Sequence, residues 1–517
     1  MAQLGLDKAG AINSYRRGRR GALGRMNLNG GTFLHCVRSR AHGFTLAGAA
    51  SLLLAGCGDD RVGTGLDCFP EAARPFLASA ERPAGFETGA RQAGGPVTVY
   101  IDASGSMAGY IDGATEARRP FQDLIATIPD LFPAATSPVS FRAFGSRIRE
   151  VPRGAQAQLL QRGFYACGGS GAQCDNGETR LDLAMSAIER EPDRLAIVVT
   201  DMWFADPSSV TTGLVPLARP LENILAGGRT IGVYGVRAPY RGTIFDLPGG
   251  QTAQFQGDRP LVVLAIGPAE RVAQFGEELA RSSSSYLAES MQRGTMKQAM
   301  FTINPARPAQ REAAPLGGGT DPRIRRAPVL DALERVRVQQ FSIARDAALR
   351  PPRDPAAPPA WEGPADETFI PNAVWRGPLA TRTRVWERRG DTCTPADWPG
   401  QPAAYDKGWS EAAAGKRRFA LDPGEFVGAF RRPGVYLLTA EVARTALEQP
   451  NPATAWMRQW SFSAGQGAAA ATAGEPGFFR TLHLSEFARL LENSLTEAAQ
   501  RNPGPITGIA VVVQVTD

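Results

Sequence analysis

The feature that most constrains the fold of this chain is a series of apolar, β-favouring runs separated by segments of helical periodicity. Val97–Ile101 and Leu195–Val199 have the composition of strands that are buried on both faces. Strands that alternate with helices predict an α/β fold with a doubly wound, mostly parallel sheet. The other predicted strands are Val139–Phe144, Thr230–Val236 and Leu261–Ile266, and the predicted helices are Phe121–Ile128, Leu181–Ile188, Leu214–Leu225 and Ala269–Ala280.

The rest of the chain has a different character. Segments rich in Gly, Pro, Ala or Arg predict connections. The strand-like runs after residue 328 favour a smaller β-rich domain, for which a sandwich is a candidate architecture. The predicted organisation is a leader over 1–56, a tether over 57–95, the α/β domain over 96–302, a linker over 303–327, the β-rich domain over 328–463, a low-complexity break over 464–477 and a C-terminal helix and strand over 478–517.

The N-terminus has the pattern of an export signal. Residues 43–56 form a short apolar run that follows several arginines and ends at Cys57. A transmembrane helix needs roughly 20 apolar residues, so the run fits the hydrophobic region of a signal peptide. A transmembrane anchor is the alternative, although polar residues follow Cys57 at once. Translation from Met26 would leave a leader of conventional length.

The end of the leader, Leu54-Ala55-Gly56-Cys57, resembles the lipobox of bacterial lipoproteins. The resemblance implies that Cys57 becomes the lipidated first residue of the exported protein and anchors it to a membrane of the cell envelope. Gly58, rather than aspartate, follows the cysteine. In lipoproteins of Gram-negative type this implies the outer membrane, so the expected location is periplasmic or outer-membrane.

Charge and histidine content exclude several classes of function. The net charge is +6, but residues 1–56 hold eight Lys and Arg residues and one acidic residue, so the remainder is close to neutral. It lacks the basic footprint of a nucleic-acid-binding protein. Of the three histidines, only His483 lies outside the leader. This excludes a multi-histidine zinc site and leaves little basis for a Ser-His-Asp triad.

Four cysteines remain once Cys57 and the leader are set aside, and an even number outside the cytosol predicts disulfides. Three pairings are possible. A local Cys167–Cys174 bond with a distant Cys68–Cys393 bond is the most economical. Buried free thiols are the alternative.

The candidate site begins where the first predicted strand ends. Residues 102–106 read D-x-S-x-S, which puts the Asp102 carboxylate and the Ser104 and Ser106 hydroxyls at the carboxyl end of a buried strand. Thr179 opens a predicted helix, and Asp201 ends the next apolar strand. Oxygens from three loops can therefore converge on one hard divalent cation. For the pentapeptide alone, a serine-rich turn that caps a helix is the alternative.

Over residues 96–300 this ordered set resembles the metal-ion-dependent adhesion site of von Willebrand factor A domains, whose sheet is Rossmann-like. The resemblance implies that Asp102, Ser104, Ser106 and Thr179 bind one Mg²⁺ or Mn²⁺, with Asp201 acting directly or through water. It also implies that an open position on the ion accepts an Asp or Glu carboxylate of a protein partner.

One position departs from the pattern of that family. Met202 follows the last aspartate where a glycine is common, and Trp203 and Phe204 come next. Either these residues form an apolar rim that narrows the site or they pack under the following loop.

A binding protein, and not an enzyme, is the prediction. A single ion held largely by neutral oxygens activates water poorly compared with zinc or paired metals. Two alternatives remain open: a structural envelope lipoprotein with a non-functional metal site, and a metal-dependent hydrolase that would use Asp102, Asp201 and Asp206.

Overall fold

The computed structural model contains two main β-sheets, and helices pack on the first of them. It describes residues 68–79, 94–165, 177, 179–202, 214–245, 247, 251–282, 285–303, 316–317, 319–327, 336–348, 357–362, 372–375, 380–392, 394–399, 403–405, 407–411, 417–462, 471–472, 475–502 and 506–517. These residues belong to one compact unit, Val62–Asp517. Among them, no helix is both long enough and apolar enough to cross a membrane.

The strands of the described residues are β1 (Ala78–Ser79), β2 (Val97–Asp102), β3 (Val139–Phe144), β4 (Ile148–Val151), β5 (Leu195–Thr200), β6 (Thr230–Ile244), β7 (Ala253–Gly267), β8 (Lys297–Phe301), β9 (Ile324–Arg326), β10 (Val336–Arg337), β11 (Gln339–Ala344), β12 (Ala360–Glu362), β13 (Ala380–Glu387), β14 (Ala403–Tyr405), β15 (Trp409–Glu411), β16 (Arg417–Ala420), β17 (Gly434–Ala443) and β18 (Thr507–Thr516). The α-helices are α1 (Ala108–Asp112), α2 (Pro120–Thr127), α3 (Arg162–Tyr165), α4 (Leu181–Glu189), α5 (Val215–Ala226), α6 (Ala269–Ala280), α7 (Ser285–Gln292), α8 (Arg345–Ala348), α9 (Pro423–Phe426), α10 (Ala455–Gln459) and α11 (Leu484–Arg501).

The first sheet has the strand order β4-β3-β2-β5-β7-β6-β8. The chain is therefore mixed α/β, as the sequence predicts. Strand β2 is parallel to both β3 and β5, and four of the seven strands run in the direction of β2. The remaining three are antiparallel to their neighbours. Strand β7 lies between β5 and β6. Strands β6 and β7 have 15 residues each and form one long hairpin.

Helices cover both faces of the first sheet. Val97, Val99 and Ile101 of β2 pack in a core with residues of α2, α6 and α7. Tyr100 belongs to the core on the opposite face, together with residues of α4, α5 and α11. Since neither face meets water, β2 and β5 need buried residues at every position, and this explains their apolar sequence.

The second sheet has the order β14-β13-β17-β18-β11-β9, and a three-stranded sheet, β12-β16-β15, shares a core with it. The C-terminal part is β-rich, as predicted. The final strand, β18, lies in the middle of the second sheet, antiparallel to β17 and parallel to β11. Helix α11, which precedes it, packs in the core of the first sheet.

Two segments predicted to be connections contain packed structure. In the predicted tether, Phe69 stacks on Trp398 with ring centres 6.0 Å apart, in a core on the second sheet. In the predicted linker, β9 pairs with β11. The Gly and Pro content of these segments carries no information about which surface they contact.

Candidate functional site

The first loop of the candidate site follows β2. Asp102 ends this strand, and the Ser104 backbone N–H donates to Asp102 Oδ1 at 2.9 Å. The Ser104 and Ser106 hydroxyl oxygens are 2.9 Å apart and share a hydrogen bond. All three side chains are at most 2% exposed. The D-x-S-x-S sequence thus forms a buried turn whose oxygen atoms lie close together.

Two further loops bring Thr179 and Asp201 to the same edge of the sheet. Thr179 lies just before α4, and its hydroxyl is 3.5 Å from Asp102 Oδ1, a long hydrogen bond. Asp201 directly follows β5, the parallel neighbour of β2. Both side chains are buried. The structure therefore brings all five predicted ligands to one place.

The surroundings of Asp102 disfavour a negative charge. Burial and the nearby charge of Asp201 raise the pKa of Asp102 to about 7, although Ser104 and Thr200 donate hydrogen bonds to its carboxylate. Two buried carboxylates that repel each other can both ionise when a cation lies beside them. A divalent ion would meet that condition here.

Thr200 belongs to the site, although the sequence did not single it out. Its hydroxyl donates to Asp102 Oδ2 at 2.7 Å. It also accepts a hydrogen bond from the Met202 backbone N–H at 3.0 Å. Its position directly before Asp201, at the end of an apolar strand, was the available signal.

Met202 has a backbone φ of +58°, in the left-handed region that favours glycine. Methionine is strained in this conformation, whereas glycine is not. The Met202 side chain is buried in the core that contains α4 and α5. Packing is therefore its role. Trp203 and Phe204 lie outside the described residues.

Arg259 of β7 is the second residue that the sequence did not single out. Its side chain is 1% exposed, and Nη1 lies 3.7 Å from Asp201 Oδ2. The guanidinium carbon is 4.8 Å from the ring centre of Tyr240 and 5.9 Å from that of Phe479. A single arginine at the start of the apolar run of β7 was a signal, but only the strand order puts it beside Asp201.

A cavity of about 730 Å³ reaches the site loop at Gly105. One wall consists of α1 and α3, and the other consists of the ends of β6 and β7. Tyr240 and Phe255 supply apolar surface, and Arg241 supplies positive charge. Arg162 and Asp112 also line the cavity, and they form an ion pair at 2.9 Å.

The cysteines are only partly described. Cys68 is disulfide-bonded. Trp398 Nε1 donates to the Cys68 carbonyl at 2.8 Å, so the segment just after Cys393 lies beside Cys68. This proximity favours the predicted Cys68–Cys393 pair, which stays a prediction. Cys393, Cys57, Cys167, Cys174 and Asp206 lie outside the described residues.

The donor set fits a hard ion better than a soft one. Two carboxylates and three hydroxyls offer oxygen ligands of the kind that Mg²⁺ and Mn²⁺ prefer. In the described part of the chain, no three His, Cys, Asp or Glu side chains cluster in a way that could hold a metal. Hydroxyl oxygens would therefore have to supply much of the coordination at this site.

Comparison with known proteins gives no relative to set beside this geometry. No protein-family model matches the chain, and neither a curated protein nor a solved structure does.

Proposed function

We propose that this chain is an exported, lipid-anchored envelope protein that binds a protein partner through one Mg²⁺ or Mn²⁺ in a von Willebrand A-type domain. A single observation carries the proposal. Two buried carboxylates and three buried hydroxyls, from three separate loops, meet at the carboxyl ends of the parallel strands β2 and β5.

Each residue would have its own role at the ion. Asp102 and Asp201 supply negative charge for the cation, and Ser104, Ser106 and Thr179 supply neutral oxygens. Because so many ligands are neutral, a bound ion keeps net positive charge and attracts an Asp or Glu carboxylate of the partner. Thr200 holds Asp102 in place through its hydrogen bond.

A structural lipoprotein whose site binds no metal is the second candidate, and Arg259 favours it. A buried guanidinium beside Asp201 already supplies positive charge, and hydroxyls already donate to Asp102. The hydrolase alternative has no such support, because Asp206 lies outside the described residues.

Isothermal titration with Mn²⁺ and Mg²⁺ decides between these two candidates. We expect saturable binding by the wild type, none by Asp102→Ala, and weaker binding by Ser104→Ala, because water can replace a hydroxyl ligand. Asp130→Ala is the matched control, since Asp130 is an exposed aspartate outside the site. Circular dichroism checks folding. Absence of saturable binding by wild type at millimolar metal would leave the structural role.

Partner binding is tested by pull-down from envelope extracts. The retained partner should be released by a chelator, recovered with Mg²⁺ and missing with Asp102→Ala. A partner that is retained equally under all three conditions does not use the ion.

The lipid anchor rests on Cys57. Cys57→Ser should abolish labelling with a radioactive fatty acid and release the protein from membranes, because the acceptor thiol is gone. Unchanged labelling and membrane retention would disprove lipidation at this residue.

A further inference from the structure

Arg259 is a buried cation in direct electrostatic contact with the proposed metal site. Its side chain is 1% exposed, Asp201 is fully buried, and Nη1 of the arginine lies 3.7 Å from Oδ2 of the aspartate. Burying a guanidinium is costly unless an anion compensates its charge. Among the described residues, Asp201 is a carboxylate that lies within ion-pair distance of this guanidinium.

The guanidinium is held by parts of the chain that are distant in sequence. Tyr240 lies on one side of it, and the Tyr240 hydroxyl donates to the Thr243 carbonyl at 2.6 Å. Phe479 approaches it as well, and the Phe479 backbone N–H donates to the Asp258 carbonyl at 2.8 Å. The cation is therefore fixed beside Asp201 by the hairpin of β6 and β7 and by the segment before α11.

The C-terminal segment also contacts Asp201 itself. The Thr481 hydroxyl donates to the Asp201 carbonyl at 3.4 Å, and Thr481 forms a parallel bridge with Ser461. Both partners of the ion pair are thus positioned by the same segment, so that Arg259 and Asp201 are not free to separate independently.

We propose that Arg259 is a built-in counter-cation that holds Asp201 in the metal-free protein and opposes the divalent ion, and so sets the affinity of the site. The inference rests on the proposed metal-binding function. The fixed positive charge stabilises Asp201 when no ion is bound, and it repels an ion that binds to the same carboxylate. Arg259 is a positioning residue and not a ligand.

Removing the charge should have two linked effects. In Arg259→Gln, Asp201 loses the attraction of this guanidinium, so the melting temperature in chelator should fall. The affinity for Mn²⁺ should rise by about tenfold or more, because the repulsion between guanidinium and ion is gone. Added Mn²⁺ should therefore raise the melting temperature more in the variant than in the wild type. A residue that acts only by packing would produce no gain in affinity.

Two variants serve as controls. Arg271→Gln removes another buried arginine, which lies on α6 and donates to the Gly95 carbonyl. It should lower the melting temperature without changing Mn²⁺ affinity. Arg259→Lys keeps the positive charge and should bind Mn²⁺ with an affinity close to that of wild type.

The experiment is titration of Mn²⁺ into the wild type and these variants by calorimetry, with melting curves in chelator. Equal or weaker binding by Arg259→Gln, with normal binding by the wild type, would overturn this inference and leave the proposed function intact. Binding by Arg259→Gln alone would support the inference and overturn the proposed function for the natural chain. Binding by neither protein would overturn both.

A fourth variant keeps the inference testable if Arg259→Gln does not fold. Asp201→Asn combined with Arg259→Gln removes both charges, so in chelator it should fold and melt at a higher temperature than Arg259→Gln. If the double variant is as unstable as the single one, Arg259 does not act through the charge of Asp201, and the inference fails.

Discussion

The environment of Asp102 raises the pKa of its carboxyl group, and this makes the stability of the site depend on pH. Its carboxyl group is buried, and Asp201 adds a second negative charge nearby. In the folded protein the pKa of Asp102 is therefore about 7, above the ordinary value of 3.8 that applies to the unfolded chain.

The stability of the metal-free protein should consequently fall as the pH rises from about 4 to about 7. Within this window the folded state binds the proton and the unfolded state does not, so unfolding becomes easier by up to about 1.4 kcal/mol per pH unit. Above pH 7 the contribution of Asp102 is constant. Urea unfolding in chelator, compared with Asp102→Asn, isolates it because the variant cannot titrate at this position.

With saturating Mg²⁺, the difference in stability between the wild type and Asp102→Asn should no longer vary with pH in this way, because a bound cation favours the ionised carboxylate. Parallel stability curves for the wild type and Asp102→Asn in chelator would contradict the assignment of a raised pKa to this residue.

The sequence predicted the five candidate ligands but missed Thr200 and Arg259, and the reason is physical. The ends of adjacent parallel strands meet at one edge of a sheet, so residues directly after β2 and β5 could be placed together from pattern alone. Arg259 lies beside Asp201 because β7 pairs antiparallel with β5. Strand order depends on long-range packing that local periodicity does not encode.

Among the elements, the hairpin of β6 and β7 also shows what local periodicity cannot predict. Periodicity located its apolar half at Thr230–Val236 and Leu261–Ile266, whereas the strands continue to Ile244 and begin at Ala253. The β7 extension alternates partly buried and exposed residues, whereas the β6 extension buries Ala238, Tyr240 and Ile244. Beyond the edge of the sheet they form one wall of the cavity beside the site loop.

Helix α1, which follows the site loop, packs on this hairpin through glycines. A Cβ atom on Gly113 would lie 2.5 Å from the Tyr240 Cα, and a Cβ on Gly109 would lie 2.3 Å from the Tyr240 ring. Because a backbone atom cannot swing aside as a flexible side chain can, the contact at Gly113 requires the absence of a side chain.

Gly113→Ala should destabilise the protein by about 1–3 kcal/mol, since it forces α1 away from β6. Movement of α1 also displaces the turn that carries Ser104 and Ser106, so Mn²⁺ affinity should fall. Urea unfolding and calorimetry measure the two effects. Gly163→Ala in α3 is the control, because a Cβ there has no neighbour within 4 Å. Equal stability of the two variants would show that the α1 contact is not close.

For the molecule as a whole, the C-terminal residues complete both sheets. Leu484, Phe487 and Leu491 of α11 are fully buried in the core that also contains residues of β5, α4 and α5. The chain then continues into β18, in the centre of the second sheet. Composition predicted a break before this segment, but it could not show that one helix and one strand belong to different sheets.

Leu491→Ala should therefore weaken both sheets together. The substitution removes a fully buried leucine from the core of the first sheet, which costs about 2–5 kcal/mol. Because α11 and β18 adjoin in sequence, unfolding of the helix should also release the central strand of the second sheet. Hydrogen exchange read by mass spectrometry should show equal loss of protection in peptides from β5 and from β17.

Asn493→Ala is the matched control, since Asn493 is an exposed residue on the same helix. It should leave protection in both sheets unchanged. If Leu491→Ala reduces protection in β5 while β17 stays protected, the second sheet is stable without α11, and the two sheets unfold as independent domains. If both lose protection equally, the site at the edge of the first sheet depends on the C-terminal part for its stability, as the contacts of Thr481 and Phe479 with Asp201 and Arg259 already suggest.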